Sequence, residues 1–144
     1  MNKEKSTYMS ELRITVGNQF IFTARLEEKD APLTCEAFKK LLPFKSKLIH
    51  ARWSGEATWI PLGDFKLGVD FENHTCYPGA GQLLFYPGGL SETEILFPYG
   101  SASFASKVGQ LAGNHFLTIT SGQEQLKELG RAILWGGALD IVFE

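Results

Sequence analysis

The chain has no surplus of charge of one sign, few cysteines and no long apolar run. Each shortage narrows what the protein does. Fourteen Lys and Arg stand against 16 Asp and Glu, for a formal charge of −2. A protein that grips the nucleic-acid backbone shows a basic surplus, so no nucleic-acid partner is expected. No stretch approaches the roughly 18 apolar residues of a spanning helix, so no membrane partner is expected either. Met1 to Ser10 is polar, carries Lys3, Glu4 and Lys5, and precedes no apolar signal core. The expected location is the cytoplasm. The only cysteines, Cys35 and Cys76, are then expected as free thiols. There is no internal repeat and no low-complexity segment.

What is present fits one folded domain. Hydrophobic residues make up 44% and charged residues 21% of 144 positions, which excludes disorder as the main state. Eleven phenylalanines can fill a sizeable core. The expected organisation is a polar tail over residues 1–10 and a single domain over 11–144.

Strand patterns dominate. Leu12, Ile14 and Val16 alternate with polar residues, as do Phe20, Phe22, Ala24 and Leu26. The Gly17-Asn18 break between them predicts a β-hairpin. Further strands are expected over 47–53, 56–62, 82–86, 95–97, 116–120 and from Leu139 to the C-terminus, with Pro98 ending or edging the short apolar run before it. Helical spacing predicts one helix over 34–42, with Thr34 as its N-cap, Glu36 in its first turn and Pro43 as its stop. A second is predicted over 122–135, opened by the Ser121–Glu124 capping box and closed by Gly136-Gly137. Eight short strands with two amphipathic helices predict a closed β-barrel whose ends the helices cover.

Chemistry-bearing residues cluster in a few places. Side chains alternate along a strand, so His50 and Arg52 share one face, with Ile49, Ala51 and Trp53 on the other. The latter set is expected to face the core and the former to face outward. Arg52, Trp53, Glu56 and Trp59 lie close in sequence. An Arg fork beside indole walls can hold a carboxylate or amide. The blander reading puts the indoles in the core and pairs Arg52 with Glu56. Gln82 and Tyr86 lie opposite Leu83 and Phe85 and are expected outside. Tyr99 and His115 are further candidates at the margin.

Other patterns lead away from catalysis. His74-Thr75-Cys76 offers two metal ligands at most, below what zinc needs. Gly79-Ala80-Gly81 is followed by no G-K-[ST]. Ser54, Ser91 and Ser121 lack a G-x-S-x-G setting. No metal and no cofactor are expected. Glu92-Thr93-Glu94 reads as a solvated acidic face.

The hairpin followed by "APLTCEAFKKLLPFKSKLIHARW" resembles the opening of a cyclophilin. The passages "ARWSGEATWIPLGD", "YPGAGQLLFYPGG", "SETEILFPYG", "ASKVGQLAGNHFLTI" and "LWGGA" more closely resemble a bacterial family of uncharacterised proteins with a cyclophilin-like fold. That resemblance implies a mainly β protein: a closed eight-stranded barrel capped by two α-helices. It implies no reaction. The more distant cyclophilin likeness offers Arg52 and Gln82 as catalytic residues of a peptidyl-prolyl isomerase, since both kinds of residue serve that site. The aromatic wall of a proline pocket has no counterpart.

The leading expectation is a small organic ligand, carboxylate or amide, on the outer barrel face. Arg52 would be central, with His50, Gln82, Tyr86 and Glu56 or Trp59 in the same cleft. A peptidyl-prolyl isomerase or peptide-binding chaperone, with a short peptide as partner, is the first alternative. An accessory subunit of an amide-hydrolysing enzyme is the second. Edge elements and exposed aromatics also predict a homo-oligomer.

Overall fold

A computed structural model of the chain describes residues 10–144. The polar tail expected over residues 1–10 lies outside them, Ser10 excepted. The first hairpin joins β1 (Glu11–Val16) to β2 (Phe20–Leu26). Gly17 and Asn18 at its turn both carry positive φ, 61° and 57°, the conformation that keeps the flanking strands twisted together.

Helix α1 (Pro32–Lys39) follows, then β3 (Phe44–His50), β4 (Gly55–Gly63), the two-residue β5 (His74–Thr75), β6 (Gln82–Tyr86) and β7 (Thr93–Ala102). A small hairpin of β8 (Ala105–Ser106) and β9 (Gly109–Gln110) precedes β10 (Gly113–Ser121). A short 3₁₀ turn over Gln123–Gln125, helix α2 (Leu126–Gly136) and β11 (Leu139–Phe143) complete the chain. Eight strands run antiparallel in the order β2-β1-β11-β3-β4-β7-β6-β10, and β10 pairs back onto β2. The sheet is therefore a closed eight-stranded barrel with two helices, and every strand read from sequence is one of its staves.

The barrel interior is rich in phenylalanine. Phe22 meets Phe97 edge-on at 5.8 Å. Phe38, from α1, meets Phe116 at 5.1 Å and Phe143 at 5.3 Å, so α1 inserts a ring into the barrel core. Helix α2 buries Leu126, Leu129 and Ile133 and lies against β3, β4 and β7. A second apolar cluster forms outside. There Ala57, Leu84, Tyr86 and Leu96 pack with Phe104 and Leu111, on either side of the β8–β9 hairpin.

The structure corrects several expectations. Helix α1 starts two residues before Thr34, with Pro32 in its first turn and Ala31 at the cap. Thr34 does not cap it. The Thr34 amide and hydroxyl both donate to Glu72 Oε2, at 2.6 and 2.7 Å, so a distant carboxylate serves the free helix donors. Glu36 consequently lies beyond the first turn. Ser121 makes no cap either: Gly122 stands before the 3₁₀ turn, and α2 begins at Leu126. The helical spacing of Leu126, Leu129, Ile133 and Leu134 puts all four on one apolar face of this helix, yet Leu134 is exposed.

Strand β3 runs three residues earlier than expected, and its facing is the reverse of the expected one. Leu48 is fully buried in the barrel core, whereas Ile49 lies outside it. The lysines at 45 and 47 occupy the exposed positions and set this register. Pro98 does not end β7, which continues to Ala102. A proline lacks only a donor, and a bulge in the neighbouring β4, between Gly55 and Ala57, lies opposite this stretch.

Candidate functional site

The outer face of β4, β7 and β6 carries the site. Register places Trp59 beside Leu96 and Leu96 beside Leu84, while Glu94 lies between Pro61 and Tyr86. Ile95, Phe97 and Phe85 point into the barrel, so Glu94, Leu96 and Tyr86 point away from it. Above this floor lies a cleft of about 140 Å³, close to the volume that holds a benzene-sized ring. Arg52, Trp53 and Ser54 form one wall, Ser91 and Glu92 another, and Ala105 to Lys107 a third.

Each wall is fixed by polar contacts that the local sequence supplies. Ser54 Oγ donates to Ala105 O at 3.1 Å and accepts from Ala105 N at 3.0 Å, tying the turn before β4 to the β8–β9 hairpin. Gly55 lets this segment pass close to β7: at φ +89° its Cβ would come 2.9 Å from Ser101 O. Tyr86 OH accepts from Leu90 N at 3.1 Å and Ser91 N at 3.3 Å, which holds the loop after β6. Glu92 Oε1 accepts from Gly63 N at 3.0 Å. Arg52 is exposed, with its guanidinium 5.8 Å from the centre of the Trp53 ring.

Glu94 is the unusual group. It is 6% exposed, and no hydrogen bond or ion pair reaches its carboxyl among the described residues. Burial, assisted by the nearby Glu92 charge, pushes it up to about 8. Removal of a carboxylate from water without a partner favours the neutral acid. At neutral pH the cleft floor therefore presents a protonated carboxyl, able both to donate and to accept. Such a perturbed acid in a cleft marks a functional-site candidate.

The residues singled out from sequence separate into groups. Arg52, Trp53 and Trp59 share the cleft. Tyr86 holds one of its walls and lines a second, adjoining hollow of about 310 Å³ with Phe71 and Leu111. His50, Tyr99 and Glu56 form a separate polar group and line neither cavity. His50 Nδ1 lies 2.7 Å from Ala51 O and must donate there, so Nε2 accepts from Tyr99 OH at 2.8 Å. Glu56 accepts from Ser101 N at 2.8 Å rather than pairing with Arg52. Burial, then the Glu56 charge, raises the Tyr99 hydroxyl.

Gln82 and His115 lie elsewhere again. Gln82 Oε1 accepts from Gly79 N at 2.7 Å. His115 Nε2 lies 2.8 Å from Thr118 Oγ1, and the Thr118 hydroxyl donates to Glu27. Burial lowers the His115 imidazole, with the Glu27 charge opposing. In Glu27 the effect of burial is outweighed by donation from Thr118 and Arg25, and the net shift is downward. Cys35 is buried, its thiol donates to Phe116 O, and burial raises it to about 12.

The expectation of a solvated acidic face over Glu92-Thr93-Glu94 is overturned at Glu94. The signal that could have found it is parity on β7. Once Ile95 and Phe97 are assigned inward, Glu94 must share the outer face with Leu96. Lys107 was missed because β8 and β9 are too short to leave a pattern.

Comparison with known proteins places the fold and the family. The structure of McbB in complex with tryptophan matches with a TM-score of 0.68 at 18% identity, covering 92% of this chain. This chain spans 44% of the McbB chain. The solution structure of the hypothetical protein AF2241 from Archaeoglobus fulgidus matches with a TM-score of 0.57 at 20% identity, covering 94% of this chain and 93% of that one. At these identities the likeness is one of fold. No curated protein matches the chain. The sequence pattern of DUF3830, a protein family of unknown function, matches residues 14–144, and the chain belongs to that family.

Proposed function

We propose that the protein binds a small organic ligand, bearing a carboxylate or amide, in the cleft over Trp59 and Glu94. The observation that carries this reading is an unpartnered, largely buried Glu94 carboxyl in a cleft that Arg52, Trp53 and Trp59 also line. A site of this kind, concave and largely apolar with a few polar groups, suits a small molecule. The indoles offer flat surfaces to a ring or planar amide. Arg52 and Lys107 supply charge for a carboxylate at the rim, and the neutral Glu94 carboxyl can exchange hydrogen bonds with an amide. McbB is described in complex with tryptophan, which supports a barrel of this shape accommodating a small aromatic molecule.

The cyclophilin-like character of the barrel is part of the same proposal, as is a cytoplasmic location. Isomerase chemistry gains no support from the site: Arg52 lines the cleft, while Gln82 is turned to Gly79 N. The role of accessory subunit has no observation that favours it.

The test is calorimetric titration with 3-phenylpropionate and 3-phenylpropanamide on the native protein and on Arg52→Ala. Both compounds are expected to bind. The variant is expected to lose about tenfold for the carboxylate, the scale of one charge-assisted hydrogen bond. Its melting temperature should stay within a degree or so, since an exposed surface side chain contributes little. An unfolded Arg52→Ala protein, or equal affinities in both proteins, overturns the role of Arg52.

A further inference from the structure

We propose that the ligand of this cleft also carries a protonated amine, seated against the Glu94 carboxyl on the side of the cleft that Trp59 lines. The inference rests on the reading of the cleft as a small-molecule site and goes beyond it at Glu94, where an ammonium takes the place open to an amide in that reading. It starts from an imbalance. Glu94 is 6% exposed and lines the cleft, yet no side chain or amide of the described residues satisfies its carboxyl. Buried polar groups in folded proteins are ordinarily paired. Among the described residues only Thr93 Oγ1 is fully buried with no partner, so the Glu94 oxygens still open onto the cleft, where a ligand group can reach them.

The charged and titratable groups around Glu94 decide which kind of partner fits. Glu92 faces the same space from the loop before β7, and Tyr86 lies beside Glu94 on β6. Lys107 of the β8–β9 turn and Arg52 after β3 form the opposite walls. Neither cation is paired with Glu94, and Arg52 is engaged over the Trp53 ring. A ligand carboxylate placed at the floor would meet two acids. A cation there meets two carboxyl groups in a cleft that Trp59 also lines, and an indole ring attracts positive charge through its quadrupole. The floor therefore selects a cation, while the rim, with Arg52 and Lys107, selects a carboxylate or amide. The ligand class is a small aromatic or otherwise flat molecule with an ammonium at one point and a carboxylate or amide at another.

Protonation of Glu94 in the empty cleft does not oppose this. An ammonium brought against the carboxyl restores the charged form, and the displaced proton passes to solvent. Binding of an amine near neutral pH should then release a proton, whereas binding of an amide should not.

The experiment uses three compounds of one skeleton: 3-phenylpropanamide, 3-phenylpropionate and 3-phenylpropylamine. Each is titrated calorimetrically into the native chain and into Glu94→Gln, at pH 7 in two buffers of different ionisation enthalpy. The amine is expected to bind at least tenfold more tightly than the amide to the native protein, with release of a fraction of a proton. Glu94→Gln is expected to erase both the advantage and the proton release while still binding the amide. The variant should fold, because Gln reproduces the shape of the neutral carboxyl; its melting curve verifies this. If the amide and the carboxylate bind but the amine does not, or if Glu94→Gln binds the amine as well as the native protein does, the assignment of an amine is overturned and the cleft remains a ligand site. If none of the three binds, the reading of the cleft itself falls, and this inference with it.

Discussion

Glu94 gives up hydration without gaining a partner, and that makes the fold sensitive to pH. Its folded value is raised to about 8 from an ordinary 4.5. Between those two pH values the folded state keeps a proton that the unfolded state has released. Stability from this group is therefore complete below pH 4.5 and declines as pH rises towards 8. A shift of this size corresponds to an upper bound of about 5 kcal/mol. Glu94→Gln cannot titrate. Its melting temperature is expected to match that of the native protein near pH 5 and to exceed it near pH 8.5. His115 and Glu27 act in the opposite sense, since their lowered values favour folding as pH rises through the acidic range. Both groups are common to the two proteins and cancel in the comparison. Parallel melting curves across the whole range would show that Glu94 is solvated after all. The residue was illegible in the sequence for a simple reason. Acids two apart with a threonine between them usually face water, and only the strand register reveals that one is turned into a cleft between Pro61 and Tyr86. Arg52, Trp53 and Trp59 were legible because an isolated cation among indoles stands out in any register.

At the scale of elements, α2 shows how a contact can reverse a propensity. Gly130 lies within this helix, where Ala is ordinarily worth roughly 0.5–1 kcal/mol more. Here a Cβ at position 130 would overlap the Tyr99 ring, which the helix rests upon. Tyr99 is also held by His50 at 2.8 Å, so it cannot swing aside without breaking that bond. Gly130→Ala is thus expected to destabilise by about 1–3 kcal/mol, the usual range for overpacking. The double variant Gly130→Ala, Tyr99→Ala should recover part of the loss. Denaturant titration decides the sign: a more stable Gly130→Ala protein would mean that Tyr99 does not support the helix.

Elements with strict alternation, β1, β2 and β11, were legible at nearly their true bounds, because alternation and burial coincide there. In β3 the lysines at 45 and 47 share the face of Ile49, and beginning the strand at residue 47 hid the first of them. The cap of α2 was misjudged because the chain enters that helix through a left-handed Gly122 and a 3₁₀ turn, and the cap of α1 because the group that serves it is not local. Glu72, thirty-eight residues from Thr34, serves α1, and no local sequence rule can see it.

The molecule as a whole is defined by the seam between β2 and β10. Without it the eight strands would form an open sheet with two free edges, a template for further pairing. Closure uses those edges, so association through barrel edges, one ground for expecting a homo-oligomer, does not apply to these strands. Light scattering at micromolar concentration tests for a particle larger than 16.0 kDa. The seam is also the part of the fold least legible in sequence, since it joins residues more than ninety positions apart, such as Leu26 and Leu117. Local alternation predicts that strands exist, but not which pair closes the ring. Hydrogen exchange tests the closure directly. The Glu27 amide donates across the seam to Phe116 O at 2.9 Å, and Phe116 itself is fully buried between Phe38 and Phe85. Opening the seam would uncover that aromatic cluster, so the amide should open only with the core, not by local fraying. Its protection is expected to approach that of the Ile14 and Phe22 amides in the first hairpin. Exchange at the rate of an exposed strand edge would mean that β10 and β2 part readily and that the barrel is open in solution.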